Sequence, residues 1–328
     1  MQVPQSGHEA VLLNEVMDLL APAEGKIIVD CTVGRGGHSS QIAKRVGKTG
    51  TLVGLDVDPG NLEFARERLT AAPANVRLFH ANFAELQEVL REIAVGPSSP
   101  DVSGTARLSS PKSAGPTSPA PVVDGILADL GVSTNQLFDE KYGLSFSSAM
   151  PLDMRLDPRI ERTAADVVNT MKEKELADLL FHLSQEHYSR QVARKIVEAR
   201  KISPISTTER LADIVRSAIP RRGGAPSKID PATRTFLALR MHVNQELENL
   251  AALLEAGPKF LRAGGTMAVI SVQSMEDRLV KQAFRSAEQT GRYQLLTKKP
   301  VTPAEDELAQ NPRSRSAKLR AIRRIISE

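Results

Sequence analysis

The chain has 328 residues, 41% hydrophobic and 25% charged, which suits one large folded domain or two ordinary ones and excludes wholesale disorder. Its 43 Lys and Arg against 39 Asp and Glu leave a formal net charge of +4, which permits a phosphate-rich partner without demanding one. A single cysteine, Cys31, excludes an intramolecular disulfide framework and a Cys-rich metal centre, and its apolar surroundings read as those of a small buried thiol.

Residues 11–20 have helical apolar spacing, and 26–33 make a short apolar strand candidate that ends in glycines. Residues 39–46 then look helical. A second strand is expected over 51–57, a second helix over 61–69 and a third strand over 76–80. This alternation predicts a parallel sheet with helices packed on it. From 96 to 121 the composition turns to Pro, Ser, Gly, Thr and Ala, too little apolar surface to offset the entropy of ordering. A disordered surface insertion is expected there, because a strand candidate at 122–127 follows directly. Beyond Gly131 the pattern is mostly helical, over 164–169, 174–184, 189–199 and 207–219, with one long amphipathic stretch at 236–261. Strand character returns at 266–272, and 293–297 and 318–326 can close the sheet. The expected organisation is an α/β domain split into 1–134 and 236–328, interrupted by an inserted helical domain at 135–235. The first ten residues lack a signal-peptide pattern and no apolar run reaches bilayer length, so a cytoplasmic protein without a membrane partner is expected.

Three segments converge on one chemistry. Gly34-Arg35-Gly36-Gly37-His38 closes the first strand, where glycines allow a sharp turn and bring backbone N–H groups near a ligand. The spacing is not G-x-G-x-x-G, and taken alone the cluster is equally a plain tight turn. Asp56 falls at the end of the second strand, about 20 residues on, where an acid can accept from ribose hydroxyls. Asp129 ends the fourth strand in Asp124-Gly125-Ile126-Leu127-Ala128-Asp129, facing the same crevice if the sheet is parallel. Together they read as a nucleoside site.

Asp153 and Arg155, in Pro151-Leu152-Asp153-Met154-Arg155-Leu156-Asp157, can recognise a base edge, or can simply pair with each other at the surface. Cations gather at Arg190, Arg194, Lys195, Arg200 and Lys201, at Arg221, Arg222 and Lys228, and in the tail at Arg313, Arg315, Lys318, Arg320, Arg323 and Arg324. These lean towards a phosphate-binding face. With 4% aromatics and no Trp, extensive base stacking is not expected. The six histidines are scattered and form no metal signature.

Read together, these segments resemble the MraW family of bacterial ribosomal small-subunit RNA methyltransferases. The likeness runs over nearly the whole chain: His8 to Leu13, Thr32 to Ser39, Asp124 to Leu137, Pro151 to Asp157, Pro231 to Phe236 and Asn311 to Ser316. It implies a Rossmann-like class I methyltransferase fold, a mostly parallel seven-stranded sheet with an inserted helical domain. It also implies S-adenosyl-L-methionine as cofactor and N4-methylation of a specific cytidine in 16S ribosomal RNA, in the decoding region. The substrate would be the RNA or the small ribosomal subunit, and a homodimer is left open. By the same resemblance Gly34, Gly36, Gly37 and His38 would contact the cofactor, Asp56 its ribose and Phe83 its adenine, with Asp129 and Gln136 completing the pocket. Asp153 and Arg155 would hold the target cytosine, and Asp153 or Asp129 would accept its proton.

Three positions depart from the family pattern: Gln273 stands where the family has histidine, Val33 where it has phenylalanine, and 142–149 diverges. A nicotinamide oxidoreductase would share the sheet and Asp56, but the glycine spacing argues against it. A DNA amino-methyltransferase would carry an Asn/Asp/Ser-Pro-Pro-aromatic motif where this chain has Asp129-Leu130-Gly131-Val132. A non-catalytic RNA-binding relative is the third alternative, raised by Gln273.

Overall fold

The structure is a computed structural model that describes residues 10–94, 122–220 and 230–325. The expected insertion at 96–121, the cations Arg221, Arg222 and Lys228, and the opening pair His8 and Glu9 lie outside the described residues. In chain order the elements are α1 (Leu13–Leu20), β1 (Ile27–Asp30), α2 (Gly37–Val46), β2 (Thr51–Asp56), α3 (Pro59–Leu69), β3 (Asn75–His80), α4 (Leu86–Ala94), β4 (Val123–Asp129) and α5 (Thr134–Phe138). They continue with α6 (Ala164–Thr170), α7 (Glu173–Ser184), α8 (Ser189–Ile202), α9 (Thr208–Ala218), α10 (Ala232–Val243), α11 (Glu246–Ala256), β5 (Leu261–Ser271), α12 (Ser274–Gln289), β6 (Tyr293–Leu295), α13 (Glu305–Gln310) and β7 (Lys318–Arg324).

The chain forms two compact units, one from residues 1–131 and 248–328, the other from 132–247. The first is built on a seven-stranded sheet in the order β3-β2-β1-β4-β5-β7-β6. β1 pairs in parallel with β2 and β4, β2 with β3, and β4 with β5; only β7 runs antiparallel to its neighbours. Successive strand residues point to opposite faces, and both faces are covered. Val29, Val53, Leu55, Ile126, Ala128 and Val269 fill one core, while Ile28, Leu52, Leu127, Ala268 and Ile270 fill the other. That is why these strands read as continuous apolar runs. Helix starts are set locally: Asp58 caps α3 by accepting from the Gly60 amide at 2.9 Å, and Pro59 fills the first turn, where no amide partner is needed.

The order reverses between β1 and β4: from β1 the chain builds outward through β2 and β3, then returns to the other side. A crevice opens at the carboxyl ends of strands at such a switch point.

The second unit packs α6 to α10 around Val168, Leu176, Leu180, Val192, Ile196, Leu211, Val215, Phe236 and Leu239. One expectation is filled in here and one corrected. The stretch 236–261 is not one helix: α10 ends at Val243, Asn244 caps it and Gln245 turns left-handed at φ 50° before α11 begins. The expected boundary at 235/236 also cuts through α10, which belongs whole to the second unit because Ala232, Phe236, Ala238, Leu239 and Val243 are part of its core.

Candidate functional site

In the first unit the glycine turn, Asp56, Phe83 and Asp129 follow the carboxyl ends of four neighbouring strands, β1, β2, β3 and β4. Gly34 and Gly36 adopt left-handed φ values of 53° and 77°, which side-chain-bearing residues rarely hold, and Gly37 opens α2. The turn is tied directly to β2. Asp56 Oδ2 accepts from the Gly34 amide at 2.7 Å, and Oδ1 accepts from the Asp58 amide at 2.9 Å, with Asn61 Nδ2 at 3.4 and 3.5 Å. Burial pushes the Asp56 carboxyl up to about 7, against the two amides that favour its charged form.

A second tie joins β1 to β4. Asp30, buried at the end of β1, accepts from the Ser39 hydroxyl at 2.6 Å and the Thr32 amide at 3.1 Å. Thr32 Oγ1 in turn accepts from the Asp129 amide at 2.7 Å. The Asp129 side chain is 28% exposed at the end of a strand otherwise buried. Its carboxyl is pushed up to about 6, first by burial, then by the Asp30 and Glu307 charges, with His38 acting in the opposite sense. His38 Nε2 lies 3.0 Å from the Val11 carbonyl, which can only accept, so that nitrogen carries the proton and Nδ1 faces Asp129 Oδ2 at 3.7 Å. The Val11–Leu12 segment is held from the far end of the chain, where Glu307 Oε1 accepts from the Leu12 amide at 2.9 Å.

Phe83 opens a short 3-10 turn after β3 and packs half-buried on the core. Asn82 and Glu85 fix that turn by a reciprocal capping box, with the Asn82 amide donating to Glu85 at 2.6 Å. Val33 is buried and fits because residue 54 is glycine: a Cβ there would meet Val33 Cγ2 at 2.5 Å. Gln273 is the cap residue before α12, where Glu276 takes the Val272 and Gln273 amides at 3.0 and 2.9 Å.

The second unit carries Gln136, Asp153 and Arg155. Gln136 is buried in α5, and its side-chain oxygen accepts from the Ser133 amide at 3.0 Å in another capping box. Asp153 and Arg155 form a two-pronged ion pair: Nε to Oδ1 at 2.7 Å and Nη2 to Oδ2 at 2.8 Å, with Nη1 donating to the Ile160 carbonyl at 2.9 Å. The Asp153 hydrogen bonds push the Arg155 guanidinium above its usual value. Between them Met154 is fully buried in a left-handed conformation, φ 65°. Asn244 holds it there, donating from Nδ2 to the Met154 carbonyl at 2.8 Å and accepting from the Leu156 amide at 2.8 Å.

Sequence reasoning missed Asp30, Ser39, Asn244 and Glu307 as supporting groups. Asp30 and Ser39 flank the glycine turn and could have been read from it. Asn244 and Glu307 act across 90 and 295 residues, and no local pattern marks them.

A mostly parallel seven-stranded sheet with one antiparallel strand, a glycine turn after β1 and acids ending β2 and β4 defines the first unit as a class I methyltransferase fold. The chain belongs to the MraW methylase family, whose model matches residues 5–325. It is 43% identical over 329 residues to the ribosomal RNA small subunit methyltransferase H of Koribacter versatilis, covering 98% of this chain and 95% of that one. The protein of the same name from Acidobacterium capsulatum is 44% identical over 314 residues, covering 96% and 97%. That from Syntrophotalea carbinolica is 42% identical over 333 residues, covering 97% and 98%.

Proposed function

We propose that this protein transfers a methyl group from S-adenosyl-L-methionine to N4 of a specific cytidine in 16S ribosomal RNA, in the decoding region. The observation that carries the reading is membership of the MraW methylase family from residue 5 to residue 325, with close relatives named as ribosomal RNA small subunit methyltransferase H. The RNA, free or within the small ribosomal subunit, is the macromolecular partner, and the cytoplasm is where it would be met.

The groups at the switch point suit a nucleoside ligand. Asp56 keeps lone pairs beyond the amides it already accepts, Asp129 is partly open, and Gly36 leaves the turn without a side chain. Gly34, Gly36, Gly37 and His38 would hold the cofactor, with Asp56 for its ribose hydroxyls, Phe83 for its adenine, and Asp129 and Gln136 completing the set. The cofactor supplies an electrophilic methyl group on a sulfonium sulfur.

The remaining chemistry falls to the chain's own residues. The cytosine amine is a weak nucleophile because its lone pair is delocalised into the ring, so holding it in line is worth more than deprotonating it beforehand. Positioning of this kind supplies about 7–11 kcal/mol. Asp153, steered by Arg155, accepts from the amine, favours the positive charge that develops on nitrogen, and with Asp129 is the candidate to receive its proton.

Tritiated cofactor incubated with small subunits or 16S RNA, followed by nucleoside mass spectrometry, tests the reading. N4-methylcytidine at one site is expected. Label on another nucleoside, or none, overturns it.

A further inference from the structure

Leu12 is the residue at which the chain turns into α1. Its φ of 54° and ψ of 36° are left-handed, an uncommon conformation for a bulky side chain, and that side chain is fully buried. The residue before a helix ordinarily has an extended backbone, and a glutamate three places on can accept from its amide. Glu15 stands three places on. The Leu12 amide goes instead to Glu307 Oε1 at 2.9 Å, 295 residues away on α13. Glu307 is the half-buried one of three consecutive acids there, Glu305 and Asp306 being exposed. A tie that only started α1 could have been made locally; this one fixes the direction from which the chain enters it.

That direction decides where the Val11 carbonyl points. The Val11 carbonyl and the Leu12 amide are the two edges of one planar trans peptide, so they face opposite ways and turn together. Glu307 holds the N–H edge, and His38 Nε2 donates to the C=O edge at 3.0 Å. With Nε2 committed as a donor, Nδ1 is the ring nitrogen left to face Asp129 Oδ2, 3.7 Å away. The charges that act on the Asp129 carboxyl come from the same surroundings: His38 favours its ionised form, and Asp30 and Glu307 oppose it. Glu307, the 11–12 peptide, the His38 ring and Asp129 thus form a chain of contacts that lies wholly within the first unit.

We propose that Glu307 is a positioning residue for the cofactor site: through the 11–12 peptide it fixes the tautomer and orientation of the His38 ring, and so the edge that His38 presents to Asp129. This rests on His38 and Asp129 meeting S-adenosyl-L-methionine. Glu307 acts through the peptide and the ring rather than on the cofactor. When it is removed, Leu12 relaxes to the extended backbone usual before a helix and closes on Glu15. The helix is spared, and the Val11 carbonyl turns away from His38.

The test uses the full chain and two variants. Glu307→Ala removes the acceptor, whereas Glu307→Gln keeps a side-chain oxygen that can still take the Leu12 amide. Nitrogen NMR of histidine-labelled protein reports which ring nitrogen bears the proton, and His38→Ala identifies the His38 signal. Wild type and the glutamine variant show a protonated Nε2. In Glu307→Ala that resonance moves towards a bare nitrogen as the ring samples the other tautomer. Calorimetric affinity for S-adenosyl-L-methionine falls about tenfold in Glu307→Ala, within the range for members of one hydrogen-bond network, and stays near wild type in Glu307→Gln. The loss disappears in the His38→Ala background, where Glu307 has no ring to act through. An unmoved His38 signal in Glu307→Ala overturns the proposal, and so does an affinity loss of equal size with and without His38. A glutamine variant as weak as the alanine one replaces positioning by a bare charge effect and overturns it too. If Asp129→Asn binds the cofactor like wild type, the reading of this crevice as the cofactor site fails instead. Glu307 is then judged by the His38 signal alone, which needs no cofactor.

Discussion

The glycine turn of the first unit and the 151–157 loop of the second both present carboxylates, and they are held by opposite means. At the turn, Asp56 and Asp30 receive backbone amides of the chain that follows β1 and β2, so their positions are those of the sheet itself. In the loop, the Asp153–Arg155 pair depends on a strained Met154 and on one carboxamide, Asn244, reaching across 90 residues. A site built on strand ends inherits the rigidity of the sheet, whereas a site built on a bracketed loop is only as firm as the bracket. Damage to the two should therefore separate cleanly.

The largest effect is expected from Asp153→Ala, which should lower methyl transfer by on the order of 100-fold or more while cofactor affinity by calorimetry stays near wild type. A variant that still methylates small subunits at the wild-type rate removes Asp153 from the reaction. Next comes Asn244→Ala, which leaves the Met154 carbonyl and the Leu156 amide without their partner. It should cost about 2–4 kcal/mol in denaturant unfolding and reduce transfer tens of times. If it weakened cofactor binding as much as it weakened transfer, the separation of the two regions would be wrong.

Asp56→Asn should act only on the first region. The amide side chain cannot accept from both Gly34 and Asp58, so cofactor affinity should fall about tenfold, about 1.4 kcal/mol, with transfer at saturating cofactor close to wild type. Proton linkage sharpens the point. Asp56 and Asp129 titrate at about 7 and about 6 when folded, above the unfolded value of about 3.9. The folded chain holds more protons in that window, so their contribution to stability is full below about pH 4 and is lost as pH rises through about 6 and about 7. Asp129→Asn should flatten that fall between about pH 4 and pH 6; a wild-type-shaped curve of unfolding free energy against pH would refute it. Ionised carboxylates accept ribose hydroxyls best, so cofactor affinity should run the other way and rise over the same range. The smallest effect is expected from Gln273→His. Glu276 takes the Val272 and Gln273 backbone amides at the start of α12 whatever side chain stands at 273, so transfer should change less than about threefold.

The turn and the strands around it were legible because their causes are local. A buried parallel strand announces itself as an apolar run, and glycine is the residue most at ease in the left-handed conformation at 34 and 36. Asp56 and Asp129 could be assigned to strand ends on the same grounds. The break in 236–261 was not legible, because Asn244 and Gln245 carry no glycine or proline signal and the turn is fixed by hydrogen bonds to a loop far back in the chain. Nor could composition separate exposed Arg190 from Arg200, which donates to the Val168 and Met171 carbonyls, or a base-reading Asp153–Arg155 pair from one that is already closed on itself.

What the amino-acid order determined alone is therefore the strands of the sheet, the switch from alternating strands and helices to a helical insert, and the identity of the carboxylates at the sheet's edge. Periodicity, glycine and helix caps act over a few residues, and they leave the same mark in any chain. Tertiary structure decided which donors meet each carboxylate, which cations are consumed in holding carbonyls, and which remain in water. Those outcomes depend on residues separated by 22, 97 or 295 positions, and only the packed sheet and helices bring them within hydrogen-bond reach.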